Sequence, residues 1–74
     1  MPTSRETQLQ LKRFGASLRR ERVAKGLTQE RLAELADLNT RTVQKIEAGK
    51  LNILLTTLRR LREVLKSPWH KLLD

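Results

Sequence analysis

An all-α fold, a compact five-helix bundle, is what this 74-residue sequence predicts. Three observations carry that expectation. Beyond the first few residues the apolar side chains recur at helical spacing, and no alternating strand pattern occurs. Helix stop and start signals, at Gly26-Leu27-Thr28, Asn39, Gly49 and Ser67-Pro68, punctuate the chain at short intervals. The connections they leave are short enough to force neighbouring helices together.

Residues 1–6, MPTSRE, have no periodicity and read as a flexible, slightly basic arm, leaving 7–74 as a single domain with one small core. The first helix is expected from Thr7 or Gln8 to Lys25, with Leu11, Phe14 and Leu18 at i, i+3 and i+7 on its buried stripe. Gly15 within it costs roughly 1 kcal/mol relative to Ala, which points to close packing. Gly26 stops the helix, with Leu27 placed for the apolar contact of a Schellman ending. Thr28 caps a second helix, 29–36, whose buried side is Leu32, Leu35 and Ala36, with Ala33 small enough for a neighbour to approach. Asn39 caps a third, about 40–48, that Gly49 ends. A fourth, about 55–66, turns Leu58, Leu61 and Leu65 inward. Ser67 then caps, and Pro68 opens, a last short helix carrying Trp69, Leu72 and Leu73.

Composition narrows the function. There are no cysteines, which excludes disulfides, zinc fingers and thiol chemistry. A lone histidine, His70, argues against a protein-only metal site, and no cofactor is implied. No apolar run approaches the ~20 residues of a membrane span, and the N-terminus lacks a signal-peptide core, so a cytoplasmic protein is expected. No nucleophile–base pair, carboxylate pair or phosphate loop indicates an enzyme. Sixteen Lys and Arg against eight Asp and Glu suit a polyanionic partner, chiefly nucleic acid. Composition alone does not separate that partner from an anionic membrane surface.

Two short helices joined by a short turn, Thr28–Ala36 and Thr40–Ala48, form the helix-turn-helix pattern. Advancing 100° per residue, Val43 and Ile46 anchor the third helix from beneath, while Arg41 and Lys45 point almost directly away. Thr40, Thr42 and Gln44 stand at the flanks. This outward set offers donors of differing geometry: Arg suits guanine O6 and N7, Gln suits adenine, Lys reaches guanine, and a Thr methyl meets the thymine methyl. The small Ala48 lets such a helix sit deep in a major groove. Alone, the same mixture is also what an ordinary solvated helix face presents.

The stretch GLTQERLAELADLNTRTVQKIEAGKLN resembles the Cro/CI-type (XRE) helix-turn-helix family of phage repressors and bacterial regulators. The resemblance covers roughly residues 14–74. Its most specific elements are Gly26-Leu27-Thr28-Gln29-Glu30, Leu32-Ala33 and Ile46-Glu47-Ala48-Gly49-Lys50. It implies a lambda-repressor-like domain that binds double-stranded DNA, usually as a homodimer on a palindromic operator, in a bacterial or phage setting. By the same resemblance Thr40, Arg41, Gln44 and Lys45 fall at base-contacting positions. Thr28, Gln29, Thr42, Lys50 and Arg19 are candidate phosphate contacts, Gln29 also bracing the reading helix.

Glu47 lies only about 40° from Val43 on the helical wheel, at the margin of the buried face, where an unpaired carboxylate is costly. The family resemblance supplies Arg22 as its partner. It also makes Trp69, Leu72 and Leu73 the expected dimer interface. Three positions depart from the family pattern: Asp37 stands where glycine is frequent in the turn, Glu21 replaces an often apolar residue with Val23 available to compensate, and Leu54 replaces a Ser or Thr cap. Residues 1–25 carry seven Lys/Arg against two acids, 26–50 four against four, and 51–74 five against two. Steering charge therefore comes from the outer helices, with Arg13, Arg19, Arg20, Arg59, Arg60 and Arg62 as candidate phosphate neighbours. The alternative to a repressor or controller is an antitoxin that binds a toxin protein and autoregulates its operon. A third reading is non-specific polyanion or membrane-surface binding through the basic helices.

Overall fold

The computed structural model describes residues 4–73, which form five α-helices and no strand: α1 (Ser4–Ala24), α2 (Gln29–Leu35), α3 (Thr40–Glu47), α4 (Leu55–Leu65) and α5 (Trp69–Leu73). α1 starts earlier than its apolar periodicity indicates. Ser4, Arg5 and Glu6, read as arm from the sequence, are its first turn, where Glu6 suits the positive end of the helix dipole. The rest of the expected arm, residues 1–3, lies outside the described residues.

Three successive helices end in the same way. After α1, Gly26 takes φ 71°, its N–H bonds Val23 O at 2.9 Å, and Leu27 N–H reaches Arg22 O at 3.1 Å. Asp37 (φ 57°) and Leu38 repeat the pattern after α2 with Glu34 O and Ala33 O. Gly49 (φ 72°) and Lys50 repeat it after α3 with Ile46 O and Lys45 O. All three are Schellman endings. Asp37 therefore serves at the frequent glycine position in a left-handed conformation that Asp tolerates better than most residues. At the other ends, Thr28 Oγ1 accepts from Arg31 N–H and Asn39 Oδ1 from Thr42 N–H. Leu54, at the start of α4, offers no side-chain cap.

Leu18, Leu32, Val43, Ile46, Leu61 and Leu65 are fully or almost fully buried and form the centre, with Phe14, Leu27, Leu38 and Ile53 packed around it. Leu35 is a correction: it is 45% exposed. The buried arc of α2 runs from Leu32 through Ala36 to Ala33, and Leu35 stands about 110° from its midpoint at 100° per residue. Leu72 is another. It is fully buried within the monomer core, so it is not available to a second copy. Trp69 is half-buried, and Leu73 is 56% exposed.

Gly15 explains how α1 and α3 fit. A Cβ there would lie 2.7 Å from Glu47 O and closer still to Ile46 O. The bare Cα lets α1 lie directly on the last turn of α3. Gly49 repeats the device two residues beyond that turn, where a Cβ would meet Lys12 Cγ at 2.7 Å and Cα at 2.9 Å.

Polar ties join α1 to α5. The Ser67 hydroxyl, expected to cap α5, instead donates to Glu21 Oε1 at 2.7 Å, and both residues are buried. This bond, ahead of Arg20 and Lys71, holds the Glu21 carboxyl below its ordinary range, against the opposing effect of burial. Glu21 thus occupies its apolar-type position by finding a donor. Val23 does not compensate, since it is 58% exposed. Arg20 NH2 donates to Lys71 O at 2.7 Å, and the Arg62 guanidinium lies 4.8 Å from the centre of the Trp69 ring.

Candidate nucleic-acid interface

α3 is held from behind by a buried ion pair. Arg22 Nε donates to Glu47 Oε2 at 2.6 Å and Arg22 NH2 to Glu47 Oε1 at 3.0 Å. The side chains are 11% and 4% exposed. A fork-to-fork pair fixes direction as well as distance. Gln29 Nε2 adds a third bond to Glu47 Oε1 at 3.1 Å, and Arg22 NH1 donates to Leu27 O at 2.8 Å. The α1 terminus, the start of α2 and the end of α3 therefore meet on one carboxylate. The hydrogen bond to Glu47 raises the Arg22 pKa above its ordinary value, outweighing burial, so the guanidinium stays charged.

With Glu47 turned inward, the outer side of α3 carries no acid. Arg41, Gln44, Lys45, Ala48 and Lys50 are exposed and line one shallow, open concavity. Val43 and Ile46 lie beneath, fully or almost fully buried. Thr40 is half-buried at the leading end of α3. Among the described residues none of Arg41, Lys45 and Lys50 has a carboxylate partner. An arginine, an amide and two ammonium groups around a small residue make a surface built to donate hydrogen bonds to an acceptor-rich groove.

The expected phosphate contacts divide. Gln29 has its amide nitrogen on Glu47, and the Thr28 oxygen caps α2. The hydroxyl proton of Thr42 is taken by Asn39 Oδ1 at 2.8 Å, so in this structure it is not free for a phosphate. The sequence marked Asn39 only as a cap. Its Oδ1 accepts from both the N–H and the hydroxyl of Thr42. A threonine three residues after an asparagine cap was the readable signal.

The flanking cations divide too. Arg20 and Arg62 are committed to α5, and Arg60 lies 3.8 Å from Asp37. Arg13, Arg19 and Arg59 are exposed and have no ion pair among the described residues. No helix among the described residues is long and apolar enough to cross a membrane.

A family model described as helix-turn-helix matches residues 18–72, from the middle of α1 into α5. The chain belongs to the XRE-type helix-turn-helix family. It is similar to the restriction-modification controller protein C.AhdI from Aeromonas hydrophila, whose crystal structure superposes with a TM-score of 0.79 at 39% sequence identity, covering 84% of this chain and 94% of that one. The search of curated proteins gave no match. As an XRE-type protein the chain is a DNA-binding transcriptional regulator, with α2, the Asp37–Asn39 turn and α3 as its helix-turn-helix.

Proposed function

We propose that this regulator reads a specific double-stranded DNA sequence by placing α3 in the major groove, with Arg41, Gln44, Lys45 and Thr40 toward base edges and Lys50, Gln29, Thr28 and Arg19 toward phosphates. One observation carries the reading: the acid-free donor face of α3 is fixed from behind by the Arg22–Glu47–Gln29 cluster. A surface that meets only water needs no such brace. A reader does, because base recognition depends on donors held to within about half an ångström.

The proposed working form is a homodimer of controller or repressor type on a palindromic operator, its half-sites about one helical turn (~34 Å) apart. Likeness to a restriction-modification controller favours the controller type. The proposed dimer contact takes in Leu73, 56% exposed and lining a groove with Ile53, Leu58 and Phe14, together with Leu54 and Leu55, 73% and 66% exposed. Apolar side chains this open favour association. Trp69 is half-buried beneath Arg62.

Selection of bound sites from random duplexes, with the mass of free and bound protein measured in solution, tests the reading. A two-fold symmetric consensus and a dimer mass support it. Failure to enrich any sequence overturns it.

A further inference from the structure

We propose that Arg5, Lys12 and Arg19 form a rail on α1 that follows the phosphate backbone of the duplex entered by α3, extending the contact surface well beyond the reading helix. This rests on the DNA-reading role of α3 proposed above.

The three residues recur at i, i+7 and i+14, so they stand in line at steps of about 10 Å on a helix rising 1.5 Å per residue. All three are exposed, and none has an ion pair or hydrogen bond among the described residues. Their neighbours on that arc are Gln8, Ala16 and Val23, so no acid interrupts it. Isolated like charges with no counter-charge are a poor way to stabilise a helix and a good way to hold a polyanion.

The rail also faces the right way. Gly15 marks the line along which α1 touches α3. At 100° per residue, Lys12, Arg19 and Arg5 lie about 40–80° to one side of that line, whereas Leu11 and Leu18 lie on the other, toward the core. The reading face of α3 likewise points away from the core. Rail and reading face therefore open on the same side of the α1–α3 contact. Gly49 brings Lys12 itself against the end of α3, beside exposed Lys45 and Lys50. Duplex DNA presents one negative charge per roughly 1.7 Å of axis, so a rail of about 20 Å always faces several phosphates.

The test compares the wild type with the triple variant Arg5→Gln, Lys12→Gln, Arg19→Gln on a selected site and on a scrambled duplex, across a range of salt. Each lost phosphate contact should make the slope of log K against log salt shallower by about 0.9. A shallowing of about 2–3, with equal losses on both duplexes and an unchanged melting temperature, supports the rail. A matched variant, Lys25→Gln, Lys66→Gln, Lys71→Gln, removes the same charge elsewhere. If it flattens the slope equally, the effect is net charge and the rail is overturned. An unchanged slope in the rail variant overturns it too. If the wild type discriminates between duplexes in that case, the reading role of α3 stands without the rail. If the wild type does not discriminate, the reading role fails, and the rail fails with it.

Discussion

Arg22 and Glu47, 25 residues apart in sequence, meet through two hydrogen bonds in a pocket that leaves the carboxylate 4% exposed. Removing one partner of a buried pair strands the other charge. Glu47→Ala should therefore cost about 3 kcal/mol of folding stability in urea unfolding. Replacing both, with Arg22→Met and Glu47→Leu together, should recover more than half of that loss, because no charge is then left uncompensated. A double variant as unstable as the single one would show that the backbone contact to Leu27 O matters more than the pair.

Gly15→Ala adds the better helix former, worth up to about 1 kcal/mol on an open helix. Here the new methyl meets backbone carbonyl oxygens that cannot rotate away. A net loss of about 1–3 kcal/mol is expected, or a fall in melting temperature of several degrees for a domain this small. A stabilised variant would mean that α1 does not lie on α3 as described.

Arg41→Ala should cost about 1–3 kcal/mol on the selected site and relax preference at one base pair, with little change on scrambled DNA. Loss of equal size on every sequence would make Arg41 a phosphate contact. Competition binding against single-base variants of the site separates the two outcomes.

Acid should expose the Glu21–Ser67 bond. The Glu21 carboxyl is held below its ordinary range in the folded protein, so the bond adds stability above the unfolded-state pKa. That increment is lost as pH falls through the folded-state value. Ser67→Ala should thus be less stable than the wild type near neutrality, with the gap narrowing in strong acid. A gap that stays constant with pH would remove the ionised carboxylate from the account.

The sequence made the helices legible because their ends are punctuated by local chemistry. Glycine in the left-handed region and Thr or Asn at a cap act within a few residues, so Gly26, Thr28, Asn39 and Gly49 mark boundaries without knowledge of the fold. The start of α1 was not legible, since its first turn contains no apolar residue to set a period. Leu35 and Leu72 went the wrong way for a different reason: which side of a short helix is covered depends on partners remote in sequence. The same holds for Glu21, whose donor Ser67 is 46 residues away, and for the hydroxyl of Thr42, whose acceptor was read only as a cap. The face of α3 was readable because its apolar anchors, Val43 and Ile46, fix the outward direction by themselves.

The ties between α1 and α5 bear on how the domain is made. Glu21 and Arg20 bond to Ser67 and to Lys71 O, and Leu72 fills the core beside them. Until that segment has been synthesised and has cleared the ribosome, α1 lacks one of the two surfaces it packs on. Schellman endings need only residues close in sequence, whereas closure of the core needs α5, far along the chain from α1. The helix-turn-helix is thus complete in sequence some twenty residues before the segment that closes over α1.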